Sequence, residues 1–271
     1  MIKSIAQITF PLISLFFLTQ LKNKEPNWNL PLKKKPVKLV KELMIKDSTI
    51  SILKFSNYTW HIKSGAASPG PNIWNANNAY VDSTGSLHLK ITYDSLTKKW
   101  NCAEIWTTES LGFGTYEWFV DGPIDKLDKN IVLGLFNYPS LTNTPDATNE
   151  IDIEYAKWGI EKNKPGNFTV WPSILLNNYT NKTYPFNISL LNNRTIQRFN
   201  WQPFSVFFEC LYEDTKDNYS LISSKIFETK KTKMYIPQTA EPVHINLWLF
   251  KGLPPSNNLP VEIIISSFQK R

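Results

Sequence analysis

From about residue 51 to the end of the chain the pattern is one of strands and turns, and no window of twelve or more shows a 3.6-residue apolar period. Leu87, Leu89, Ile91 and Tyr93 alternate with His88, Lys90 and Thr92 directly after the turn signal Ser83-Thr84-Gly85-Ser86. Tyr116, Trp118 and Val120 alternate with Glu117 and Phe119 behind Gly112-Phe113-Gly114. Ile131 to Tyr138 is a continuous apolar run of the kind a strand buried on both faces carries, and Val206–Tyr212 and Val261–Ser267 repeat the strand signal. Pro69, Pro71, Pro139, Pro145, Pro165, Pro172, Pro254 and Pro255 fall in the gaps, where each would break a helix. No repeat of fixed period is present. Many short strands joined by Gly, Pro and Asn turns predict an all-β sandwich or barrel, and 271 residues suffice for one such domain with a substantial core.

The N-terminus follows other rules. Lys3 precedes an uncharged apolar stretch from Ile5 to Leu21, and Lys22 and Lys24 follow it. We read residues 1–24 as a signal peptide, 25–50 as a basic linker and 51–271 as the folded domain that carries the chemistry. An uncleaved anchor is the alternative, because no small-x-small cleavage site is clear. Export places the mature protein outside the cell or in the periplasm, with no stable membrane association once the signal is gone. The net charge of +7 resides largely in the Lys22–Lys46 tail, so a nucleic-acid footprint is not supported. Cys102, Cys210 and the three dispersed His residues (His61, His88, His244) show no metal-ligand spacing. The two cysteines are compatible with a disulfide or with two buried thiols.

One segment concentrates chemistry: Asn149-Glu150-Ile151-Asp152-Ile153-Glu154-Tyr155. In a strand, Glu150, Asp152 and Glu154 share one face while Ile151, Ile153 and Tyr155 share the other. Three carboxylates in a row repel one another, so at least one must hold its proton to a higher pH than a free acid does. Split protonation is what hydrolysis of a glycoside needs, one carboxylate attacking and one carboxylic acid donating. Four residues of strand separate the outer Cα atoms by about 13 Å, a gap two Glu side chains can close to the ~5–5.5 Å of a retaining pair. A solvated acidic face and a divalent-cation site are the rival readings of the spacing.

The surrounding residues bear on that choice. Glu150-Ile-Asp-Ile-Glu154 resembles the catalytic signature of glycoside hydrolase family 16, the lichenase and laminarinase family. The likeness continues through Cys102-Ala-Glu104, Gly112-Phe-Gly-Thr-Tyr-Glu117, Gly134-Leu-Phe-Asn-Tyr138, Phe199-Asn-Trp-Gln-Pro203 and Asn246-Leu-Trp248. The resemblance implies a jelly-roll sandwich of two antiparallel sheets, one of them concave and glucan-binding. It implies that Glu150 is the nucleophile, Asp152 the assisting acid and Glu154 the acid/base. It further implies that Glu104, Trp106, Phe136, Tyr138, Trp171, Asn246 and Trp248 contact substrate, although any of these aromatics could equally be core. Trp201 reads as core. Where lichenases commonly carry an Arg two residues after the glutamate matching Glu104, this chain has Trp106, and the family's disulfide partner for Cys102 is missing.

The expected function is therefore that of a secreted, endo-acting, retaining hydrolase of a β-glucan. Members of the resembled family that act on pure β-1,3-glucans usually carry one extra residue before the last Glu, so the resemblance implies mixed β-1,3-1,4 linkage over β-1,3. A cell-wall transglycosylase and a non-catalytic carbohydrate-binding protein are the alternatives. No cofactor is expected in catalysis, the resemblance leaves room for a structural Ca2+, and a monomer acting on a polysaccharide is expected.

Overall fold

The computed structural model describes residues 51–139, 144–175, 181–215, 218–230 and 232–271; the expected signal peptide and linker lie outside the described residues. In chain order the strands begin with β1 (Ile52–Phe55), β2 (Tyr58–Ile62), β3 (Gly65–Ala67), β4 (Asn72–Trp74), β5 (Ala79–Val81) and β6 (Leu87–Asp94). There follow β7 (Lys99–Asn101), β8 (Ala103–Leu111), β9 (Gly114–Asp121), β10 (Ile131–Asn137), β11 (Ile151–Ala156) and β12 (Gly166–Val170). The last are β13 (Lys182–Phe186), β14 (Arg194–Gln202), β15 (Ser205–Thr215), β16 (Asn218–Glu228), β17 (Glu241–Leu249) and β18 (Val261–Lys270). Among the described residues the helical content is three single-turn 3-10 segments, as the scattered prolines predict.

Two antiparallel sheets contain nearly all of these strands. The first runs β1-β2-β8-β17-β10-β11-β12-β13; the second runs β16-β15-β14-β9-β18-β6-β5, with β7 paired to β6. Sequence neighbours such as β8 and β9 fall in different sheets, which is the crossing-over connectivity of a jelly-roll sandwich. The all-β expectation thus holds, and Thr49–Arg271 forms one compact unit.

Alternation decides which side chains meet between the sheets. Leu87, Leu89 and Ile91 of β6 and Tyr116, Trp118 and Val120 of β9 are all buried. Ile151, Ile153 and Tyr155 of β11 are fully buried from the opposite side. The Tyr155 hydroxyl spans the layers, donating to Gln197 Oε1 on β14 at 2.5 Å and lying 3.2 Å from Cys210 Sγ on β15. Aromatic pairs complete the filling, with Phe168 stacked on Phe208 at 4.9 Å and Trp60 edge-on to Phe268 at 5.6 Å. Each such ring removes some 150–250 Å² from water, so the aromatic-rich composition is used mainly for packing. Trp201 is among these fully buried rings, its Nε1–H donating to Pro237 O at 2.9 Å. Cys102 and Cys210 are both buried and free, so of the two readings left open by the sequence the structure has the unpaired thiols.

Because Ile151, Ile153 and Tyr155 must face the core, Asp152 and Glu154 are forced to the outer face of the first sheet. This single constraint positions the site.

Candidate active site on the outer face of the first sheet

The acidic segment enters its strand under tight local control. Asn149 takes a left-handed backbone conformation at φ 52°, which Asn tolerates better than most residues. It is itself buried: its Nδ2 donates to Ser173 O at 2.9 Å, and its Oδ1 accepts from the Gln238 backbone at 2.9 Å. Asn137 Oδ1 then accepts the Ile151 N–H at 2.9 Å, fixing the first residue of β11. Glu150 sits between these two clamps, just before the strand, and its carbonyl accepts from the Trp171 N–H at 2.9 Å.

Antiparallel register lays the expected site residues out in rows across the sheet. One row runs His61 (β2), Trp106 (β8), His244 (β17), Phe136 (β10), Asp152 (β11), Thr169 (β12) and Thr183 (β13). The next runs Glu104, Asn246, Gly134, Glu154 and Asn167. Trp248 begins a third, opposite Val132, and is nearly buried. Tyr138 lies beyond the end of β10, its hydroxyl donating to Asp146 Oδ1 at 2.8 Å. Facing pairs share a side of the sheet, so the register gathers on the outer face residues as far apart in sequence as His61 and His244. Although this face is turned away from the core, Glu104, Asp152, Asn167 and Asn246 are each at most 5% exposed, so the middle of the rows forms a recess, while Thr183 at the sheet's edge is exposed.

Gly134 belongs to that recess because of what replaces its side chain. A Cβ there would lie 2.5 Å from Asn246 Oδ1, so the Asn246 amide occupies the space beside Glu154 that any other residue would fill. Asn246 Oδ1 is buried and has no hydrogen-bond partner among the described residues. An acceptor left bare in this way costs about 1–3 kcal/mol until a ligand donor meets it.

The three acids differ in their surroundings. Burial is the main force holding all three protonated beyond the ordinary carboxylate range, and their mutual repulsion adds to it. Glu150, pushed up to about 8, is partly relieved by a hydrogen bond from Asp152. Asp152 holds the shared proton, raised by burial and by the Glu150 charge, while the Trp171 Nε1–H donates to its Oδ2 at 3.0 Å. Glu154, raised by burial and by Asp152, has no hydrogen-bond partner among the described residues. Glu150 is thus the acid relieved by a hydrogen bond from its neighbour, and Glu154 the one without such relief.

Glu104 is the opposite case. Burial alone would raise it, but His244 and Lys63 hold it below the usual range. Lys63 Nζ lies 2.7 Å from one oxygen and His244 Nδ1 lies 3.0 Å from the other. His244 stands in near-parallel contact with Trp106 at 5.9 Å and with Phe136 at 5.1 Å. Lys63 and His244 were absent from the residues expected from sequence. His244 carried a usable signal, two positions before Asn246 on the same strand face; Lys63 carried none, since its partner is 41 positions away.

No family model matches the chain. A β-glucanase of Bacillus licheniformis is 29% identical over 190 residues, spanning 66% of this chain and 64% of that relative. The chain resembles the β-glucanases of family 16. Among solved structures, a family 16 hydrolase of Bacteroides ovatus in complex with a mixed-linkage glucan product superposes at a TM-score of 0.60 with 12% identity, covering 82% of this chain and 98% of that one. An immunostimulatory antigen of Mycobacterium tuberculosis, described as a pseudo β-1,3-glucanase, superposes at 0.55 with 17% identity, covering 78% and 89%. The β-glucanase fold is thus shared by catalysts and by at least one protein described as a pseudo-enzyme. Among the described residues no three His, Cys, Asp or Glu side chains converge at ligand spacing.

Proposed function

We propose that this chain is an exported endo-β-glucanase that cleaves with retention of configuration, with mixed-linkage β-1,3-1,4-glucan preferred over β-1,3-glucan. The observation that carries the reading is the unequal trio: Glu150 accepts a hydrogen bond from Asp152, while Glu154 two residues further on is a bare, proton-holding acid. The β-glucanase relative supports the substrate class, and the uncharged Ile5–Leu21 stretch supports export.

In the first step the Glu150 carboxylate attacks the anomeric carbon while Glu154 delivers its proton to the departing glycosidic oxygen, leaving a glycosyl ester on Glu150. Asp152 keeps its proton throughout and stabilises the Glu150 charge before attack and after release. In the second step Glu154, now a carboxylate, takes a proton from water as the water oxygen displaces Glu150. Asn246 and Trp171 hold the sugar and Asp152, respectively.

Product configuration on barley β-glucan, followed by NMR, tests the scheme, with laminarin, xyloglucan and agarose as competing substrates. Retained configuration is expected. Glu150→Ala supplied with azide should give a glycosyl azide of inverted configuration, and Glu154→Ala one of retained configuration. Inverted product from the unmodified protein would sink the mechanism. Binding of glucan without turnover would place the chain with the pseudo-enzymes instead.

A further inference from the structure

The expected sugar contact Glu104 is already engaged through both oxygens, by Lys63 on one side and His244 on the other. Its carboxylate is held ionised and can only accept, so His244 Nδ1 carries the hydrogen of that bond. The opposite nitrogen, Nε2, is thereby left as the ring's free hydrogen-bonding atom, an acceptor in the neutral ring and a donor in the imidazolium. Nε2 has no partner among the described residues, yet it is not among the atoms sealed from solvent, in contrast to Nδ1 of His61 in the same row. The ring cannot swing away, because Trp106 and Phe136 flank its two faces and Tyr138 meets it edge-on at 5.8 Å. An oriented, solvent-facing hydrogen-bonding atom has been built into the floor of the recess.

Its place relative to the chemistry follows from the register. His244 lies two strands from Asp152, with Phe136 between them. Strands are spaced by about 4.8 Å, close to the length of one pyranose ring in a β-glucan. A glucan lying along the row therefore meets one sugar per strand, with the bond to be cut over β11.

We propose that His244 is a specificity-determining residue whose Nε2 hydrogen-bonds a hydroxyl of the sugar lying over β17, two strands from the scissile bond, and that Glu104 and Lys63 act through it as positioning residues. This inference rests on the reading that the recess binds β-glucan, but not on catalysis. Calorimetric titration of the Glu154→Gln protein with β-glucan oligosaccharides of increasing length tests it. Affinity should step up at the length that first reaches β17. In the added presence of His244→Leu that step should shrink by about tenfold, the loss typical of one unmet hydrogen bond, while shorter ligands bind as before. His244→Gln should restore part of the step. Equal affinities at every length, or an equal loss at every length, would overturn the proposal, and so would failure of the Glu154→Gln protein to bind any glucan. Length-dependent binding combined with absence of turnover in the unmodified protein would leave this inference standing and remove the enzymatic one.

Discussion

Each sheet carries a row of acids on its outer face, and the two rows are treated in opposite ways. On the second sheet Glu117 is 3% exposed and meets Arg198 at 2.6 Å and Arg271 at 2.7 Å, while Arg198 also reaches Glu209 at 3.0 Å. On the first sheet Glu150, Asp152 and Glu154 have no Lys or Arg in ion-pair contact among the described residues, and share only their own protons and the Trp171 N–H. In sequence the two look alike, since Glu117 stands between Tyr116 and Trp118 much as Glu154 stands between Ile153 and Tyr155. Neutralised charge holds a fold; buried acids without a counter-ion keep their protons at a cost to stability, and the proposed proton transfer gives that cost a purpose.

The sharpest way to break this contrast is Glu150→Gln. Turnover of β-glucan should fall by at least about 10⁴-fold, the scale seen when a nucleophile is removed, with the fold intact by circular dichroism. Loss of less than tenfold would return the trio to a structural role. Arg198→Ala probes the other row. It leaves Glu117 and Glu209 partly uncompensated and should destabilise by roughly 3 kcal/mol in urea titration, with kcat of the folded fraction unchanged. A fall in kcat would mean that the rows are not independent.

Acidity gives a third test. The folded pKa of Glu150 lies above its unfolded value, so between about pH 4.5 and about pH 8 the folded chain binds more protons than the unfolded one. Stability is then greatest at the acid end of that window and declines as pH rises through it. Melting temperature should fall across the window for the unmodified protein and fall less for Glu150→Gln. A parallel pair of curves would refute the burial of that charge. The smallest expected effect belongs to Trp171→Phe, which removes the donor to Asp152. Removal of that donor should raise the Asp152 pKa further, lower kcat by about tenfold or less and leave KM close to its original value. A change confined to KM would make Trp171 a substrate contact only.

How much of this was legible beforehand depended on one-sided burial. Strands β6, β9, β10 and β18 announce themselves because one face, or both, is packed away. β13 and β16 do not: they close the two sheets, and at an edge both faces meet solvent, so no alternation develops. The trio was readable because its three acids are adjacent on one strand. Its surroundings were not, because antiparallel register brings them from afar: Glu104 to His244, Arg198 to Glu117, Asn149 to Gln238. Asn137 and Asn149 resemble ordinary turn asparagines in sequence, and only their burial shows that they clamp the entry to β11.

The two unpaired sulfurs have a practical consequence. Cys102 leads into β8 of the first sheet and Cys210 lies on β15 of the second, and burial pushes their thiols up to about 12 and about 11. Protonated and enclosed, neither can be alkylated while the molecule is closed. Each becomes reactive only when its own layer opens, so the molecule carries a separate clock in each half of the sandwich. The rates at which iodoacetamide marks the two positions would show whether the layer that holds the acids loosens before the one that holds the arginines.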